Sequence, residues 1–154
     1  MKIDIITVGK IKEGYLKEGI AEYLKRLKPF VKINLIEVAD EPHKNNVLDV
    51  LRTEEKRIEK HVKKDSFFIV LDIKGKMFSS EKLAEFFQDL MLSAVSNVTI
   101  LIGGSLGVSK DLTKRADLRL SFSKLTFPHQ LMRIILMEQL YRIFKIINNE
   151  PYHK

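Results

Sequence analysis

Residues 98–110 read VTILIGGSLGVSK, and residues 118–147 read LRLSFSKLTFPHQLMRIILMEQLYRIFKII. In the first stretch an unbroken apolar run, Val98 to Ile102, meets three glycines within five residues. A short continuous apolar run bounded by turn residues marks a strand covered on both faces. In the second stretch Leu118, Leu120 and Phe122 alternate with other residues, the loop Ser123–Phe127 follows, and Pro128 opens a long apolar segment. Alternation predicts a strand, and proline at the head of an apolar segment predicts a helix start. Loops that follow buried strands are where open α/β sheets take their ligands.

Upstream, the same grammar repeats. Lys2–Val8 predicts a strand, with Gly9 and Gly14 bracketing the turn after it. Apolar residues at 16, 20, 23, 24 and 27 make a helical stripe that Pro29 stops. Val31–Val38 predicts a strand, Asp40–Asn46 a loop, and residues 47–62 a helix with one apolar and one charged face. SFFIVLDI (66–73) is a second run of the buried-strand kind, and Lys74-Gly75-Lys76 is expected to turn the chain. Ser80 is the expected N-cap of a helix carrying Leu83, Phe86, Phe87, Leu90 and Met91, and Ser109 and Asp111 open a short helix ending near Ala116. Strands and helices alternate throughout, and no linker or repeat divides them. The expected fold is therefore α/β, one domain over residues 1–154, with a mostly parallel sheet and helices on both faces.

The last helix plots as a narrow polar stripe, Glu138, Arg142, Lys145 and Asn149, against an apolar remainder. A helix this apolar is covered on several sides, and a homodimer is the preferred reading. Arg133 falls within the apolar half. It is expected either to snorkel to water or to meet an acidic group on a partner chain or ligand.

Composition narrows the chemistry. The 154 residues are 45% hydrophobic and 31% charged, the profile of a folded chain rather than a disordered one. Zero cysteines exclude disulfides, thiolate metal sites and a cysteine nucleophile. His43, His61, His129 and His153 show no metal-ligand spacing, so no metal is expected. No run approaches the length of a membrane span, and the acid in MKIDIITV argues against a signal peptide, which makes the cytoplasm the default. The net charge of +7 favours a polyanionic partner, met by the folded surface because the excess is spread along the chain.

Gly103-Gly104-Ser105-Leu106-Gly107 does not fit the dinucleotide or P-loop patterns, and no nucleophile elbow is present. Its glycines serve either a tight turn or close approach of backbone to a ligand. Asp72 stands either at a ligand site or as a cap of the turn that follows. His129, in the first turn of the last helix, is either structural or faces a substrate. The tail Tyr152-His153-Lys154 groups an aromatic, an imidazole and a cation, a trio able to stack on a base and touch phosphate.

LDIKGK (71–76), LIGGSLG (101–107), LSFSKLTFPHQLMR (120–133), EQLYR (138–142) and PYHK (151–154) together resemble the ribosomal RNA large-subunit methyltransferase H family of the SPOUT superfamily. The resemblance covers essentially the whole chain and departs at Leu106, where family members often carry a polar or acidic residue. It implies a carboxyl-terminal trefoil knot, S-adenosylmethionine as cofactor, and a homodimer with the last helix at its interface. The reaction it implies is methylation of N3 of a pseudouridine in 23S ribosomal RNA within the ribosome. The cofactor site it implies is Leu71, Gly103 and the loop Phe122, Ser123, Lys124, Leu125, Thr126 and Phe127. His129, Arg142, Tyr152 and His153 are the acceptor-side candidates, and Lys10, Lys12, Arg26 and Arg119 the candidate RNA-facing cations. Open beside it stand a SPOUT enzyme of another nucleotide specificity, a non-catalytic ribosome- or RNA-binding factor, and a flavodoxin-like nucleotide binder.

Overall fold

The computed structural model describes residues 1–42 and 46–152; His43, His153 and Lys154 lie outside them. The chain runs β1 (Lys2–Val8), α1 (Gly14–Leu27), β2 (Lys32–Val38), α2 (Val47–Glu59), β3 (Phe67–Met77), α3 (Ser80–Leu92), β4 (Asn97–Ile102), α4 (Lys110–Arg115), β5 (Leu118–Ser121) and α5 (His129–Ile147). The five strands form one sheet in the order β2-β1-β4-β3-β5, and every pairing is parallel.

Period-2 side-chain alternation sends the inner strands' residues into two layers. Ile3, Ile5, Ile69, Val98 and Ile100 meet α1, α3 and α5 in the larger core, where Phe87, Leu136 and Phe144 are nearly fully buried. Ile6, Val8, Phe68, Val70 and Leu101 meet Ile58 of α2 and Leu112 of α4 on the other face. Both faces are thus covered, which is why β1, β3 and β4 read as near-continuous apolar runs. Asp4, the acid inside β1, is 2% exposed, and its carboxylate lies 2.7 Å from Lys63 Nζ just beyond α2.

Three local expectations are corrected. Lys74-Gly75-Lys76 do not turn the chain. They belong to β3, whose register against β5 jumps between Leu71 and Lys76, both of which pair with Leu120. Residues 72–75 therefore arch out of the ladder as a bulge, a feature common beside functional sites. Gly75 permits it, because a Cβ there would lie 2.6 Å from the Arg119 carbonyl. The N-cap of α3 is Ser79, whose side chain accepts from the Lys82 amide at 3.2 Å. Ser80 instead donates to Gln139 Oε1 at 2.9 Å and ties α3 to α5.

The third correction is Arg133. It neither snorkels nor waits for another chain: it is 4% exposed, and both terminal nitrogens of its guanidinium are engaged within this one. Its guanidinium donates to Glu37 Oε1 at 2.8 Å and to the carbonyls of Val8 and Gly9 at 2.9 and 2.7 Å. The first turns of α5 meet the carboxyl end of β1, beyond Thr7, the last residue that pairs with β4. Arg133 supplies donors to the two carbonyls there.

Candidate functional site

β4, β3 and β5 lie side by side, so the loops at their carboxyl ends converge. Between them is a cavity of about 200 Å³. β3 contributes Leu71, Asp72 and Ile73; β4 and its loop contribute Ile102, Gly103, Gly104, Gly107 and Val108. From β5 and its loop come Leu120, Ser121, Phe122, Ser123, Leu125, Thr126 and Phe127, and α5 closes the site with His129 and Met132. Of the eight expected cofactor residues, only Lys124 is missing from this lining. The walls at Ile73, Val108, Ser121 and Met132 were not anticipated, since nothing in their local pattern separates them from ordinary packing residues.

The loop after β4 is folded back on itself. Gly104 and Gly107 form a bridge, and the Gly107 amide donates to the Gly104 carbonyl at 3.0 Å. A Cβ at Gly103 would lie 2.6 Å from the Gly107 carbonyl oxygen and 2.7 Å from a Val108 methyl. The close approach of backbone to backbone is thus the reason for glycine there, beyond tightness of the turn. The loop after β5 is held by its own hydroxyls: Ser121 Oγ donates to the Ser123 carbonyl at 3.0 Å, and Ser123 Oγ accepts from the Leu125 amide at 2.9 Å. Such turns let backbone groups line a cavity without a regular ladder.

Electrostatically the lining is quiet. Its one carboxylate, Asp72, receives two hydrogen bonds from Arg119, at 3.0 and 2.7 Å, and one from the Lys74 amide at 2.9 Å. Burial pushes Asp72 upward, but these donors outweigh it and hold its carboxyl below the usual range. His129 is shifted downward, first by burial and then by the nearby Arg133 cation. The imidazole at the cavity wall is therefore neutral at physiological pH and able to accept a proton. Replacing Arg133 with Met removes the second cause and leaves the first. The His129 pKa, followed by NMR titration, should rise yet remain below the ordinary histidine value. Linkage has a definite sign here: the folded chain binds this proton more weakly than the unfolded chain. The stability contributed by neutral His129 is present above the unfolded pKa of about 6.5 and is lost as pH falls through the folded value.

The other acceptor-side candidates are elsewhere. Arg142 is paired with Glu138 at 2.6 Å, and its guanidinium lies 4.9 Å from the Tyr152 ring centroid. Tyr152 packs edge-on against Tyr141, with centroids 4.8 Å apart, and its hydroxyl lies 3.4 Å from Glu138 Oε1. The chain is thus anchored as far as Tyr152. Thirteen residues of α5 separate His129 from Arg142, a rise of roughly 20 Å. One chain presents His129 at the cavity and the Arg142–Tyr152 pair at the far end of the same helix. Among the described residues no group of three or more acidic or histidine side chains could hold a metal. No helix of the described chain is long and apolar enough to cross a membrane.

The chain is a parallel α/β protein with a backbone-lined, weakly charged cavity at the ends of three adjacent strands. In overall fold it is similar to the solved structure of a probable methylase family protein from Haemophilus influenzae, with a TM-score of 0.55 and 14% identity over 99% of this chain and 70% of that one. The family model described as "Predicted SPOUT methyltransferase" matches residues 1–153. A putative ribosomal RNA large subunit methyltransferase H of Methanococcus maripaludis is 55% identical over the full length of both chains. A ribosomal RNA large subunit methyltransferase H of Desulforamulus reducens is 53% identical over all of this chain and 99% of its own. The chain belongs to the SPOUT methyltransferase family, in the group that carries the large-subunit methyltransferase H name.

Proposed function

We infer that this protein is an S-adenosylmethionine-dependent methyltransferase acting on N3 of a pseudouridine in 23S ribosomal RNA, as a cytoplasmic homodimer with its carboxyl-terminal part threaded as a trefoil knot. The observation that carries the reading is the cavity between the β3, β4 and β5 loops, in a chain whose full-length relatives bear that methyltransferase name.

The lining suits this cofactor. When bound, S-adenosylmethionine supplies an electrophilic methyl group on a cationic sulfonium. Leu71, Gly103 and the Phe122–Phe127 loop would hold it with apolar walls and backbone groups, and no unpaired cation of the lining opposes its charge. Gly103 itself puts no side chain into the cradle, because Gly107 and Val108 occupy the space a Cβ would take. The acceptor nitrogen loses its proton as it gains the methyl. Neutral His129 stands at the cavity wall to take that proton. Arg142 and Tyr152, some 20 Å away along α5, are brought to the same nucleotide by a second copy. The flank of α5 carrying Leu131, 39% exposed, and half-buried Ile135 is the surface on which that copy packs. There Arg142 orients the base and Tyr152 stacks on it, so that positioning supplies much of the rate. His153, the next residue after Tyr152 in the sequence, lies outside the described residues.

Two measurements test this. S-adenosylmethionine titrated into the protein should release or absorb heat with a saturable isotherm; no binding would leave a non-catalytic RNA-binding factor as the better reading. Ribosomal RNA from cells lacking the protein should lose a methyl group on a pseudouridine in mass mapping, and an unchanged map would remove the specificity. Arg142→Ala should slow methyl transfer to ribosomes at least tenfold while donor affinity stays within about twofold. Loss of donor binding in that variant would take Arg142 off the acceptor side.

A further inference from the structure

Beside the methyl-donor cavity the surface opens into a groove of about 970 Å³ whose charge is one-sided. Its charged lining consists of Asp72, Lys74, Lys110, Lys114 and Arg119. Asp72 and Arg119 neutralise one another at 2.7 Å. Lys74, Lys110 and Lys114 are all exposed, and among the described residues none of them forms an ion pair. Lys110 and Lys114 are four apart on α4 and so share one helical face. Lys74 lines the groove from the β3 bulge, where residues 72–75 leave the ladder with β5. Arg115, next to Lys114 on α4, is paired with Glu59.

Three exposed lysines outside any ion pair, contributed by β3 and α4, form a track for a polyanion. The track is continuous with the cavity, because Gly104, Gly107, Thr126, Phe127 and His129 line both. Half-buried Phe127 lies at the junction, where an aromatic face can receive an unstacked base. We propose that this groove holds the phosphate backbone of the single-stranded RNA segment that carries the target nucleotide, with Lys74, Lys110 and Lys114 each neutralising a phosphate. The proposal rests on the methyl-transfer reading for the identity of the polyanion, and it places the acceptor strand across the β3 bulge and α4. Arg26, already bonded to Glu22, is not required for it.

The test uses the full-length protein and a fluorescently labelled, uridine-rich single-stranded RNA of twelve nucleotides. Anisotropy titrations across a range of salt concentrations compare wild type, the groove variant Lys74→Ala/Lys110→Ala/Lys114→Ala, and a control of equal charge change, Lys25→Ala/Lys28→Ala/Lys60→Ala. Each phosphate contact on a single strand contributes about 0.7 to the slope of log affinity against log salt, so the groove variant should lose about 2 from that slope. Its affinity at low salt should fall tenfold or more, while the control stays near wild type. S-adenosylmethionine calorimetry on the same samples should be unaffected, since none of the three lysines lines the donor cavity. An unchanged slope in the groove variant, or an equal loss in the control, overturns the proposal. Absence of donor binding in wild type defeats the methyl-transfer reading instead, and the RNA titration still decides the groove.

Discussion

Gly103→Ala is expected to weaken S-adenosylmethionine binding by roughly a hundredfold, equivalent to about 2.7 kcal/mol. The added methyl would sit 2.6 Å from the Gly107 carbonyl oxygen, 2.8 Å from its carbonyl carbon and 2.7 Å from Val108 Cγ2. Two of those atoms are backbone and cannot swing aside as a flexible side chain would. The loop must move, and with it the Gly104–Gly107 bridge that forms a wall of the cavity. Overpacking of this kind costs about 1–3 kcal/mol where a core can adjust, and the displaced loop loses its place in the cavity wall as well. The β4 strand ahead of it is paired with β1 along its whole length and with β3 from Val98 to Leu101, so the fold should survive. Calorimetric titration reads the affinity and circular dichroism the fold. Wild-type affinity in the folded variant would show that this loop does not touch the methyl donor.

The second large effect is on stability. Arg133→Met should lower the free energy of unfolding by about 2 kcal/mol. Removing the guanidinium strips the donors from the Val8 and Gly9 carbonyls, which costs about 1–3 kcal/mol for each buried group left unsatisfied. Two terms reduce that sum. Burial disfavours the charged guanidinium, so its removal relieves a desolvation cost. Glu37 is 38% exposed and can be rehydrated once its partner is gone. Methionine keeps most of the apolar stem packed against α5's neighbours. A urea titration should show an earlier midpoint with an unchanged slope. A variant as stable as wild type would mean that the strand carbonyls are satisfied without Arg133. Such a result would separate stability from the His129 titration, which should still shift.

Much of the fold was legible because its signals are local. Buried-strand runs at 67–71 and 98–102, the helical stripes, and the proline at the head of α5 each depend on neighbours a few residues away. The loops of the cavity were legible for a related reason: in an all-parallel sheet the carboxyl ends of the strands are already gathered on one edge. The expected pocket residues from Leu71 to Phe127 therefore fall together once the strand order is known, with Lys124 outside.

Sequence alone established an α/β alternation, a helix too apolar for one covered side, and a net positive charge of +7 spread along the chain. Tertiary structure decided what those pieces meet. Arg133 finds Glu37 and two strand carbonyls more than 90 residues earlier, a pairing that no periodicity encodes. The bulge of β3 exists only because β5 docks beside it, so Lys74-Gly75-Lys76 look like a turn until the neighbouring strand is in place. The three groove lysines come from β3 and α4 and become one track only across the fold. The length of α5 parts His129 from Arg142 and Tyr152, which a linear motif sets close together. The physical reason is common to all of these: local sequence fixes backbone preference over a few residues, whereas charge pairing, bulges and grooves depend on which distant elements the buried sheet forces into contact.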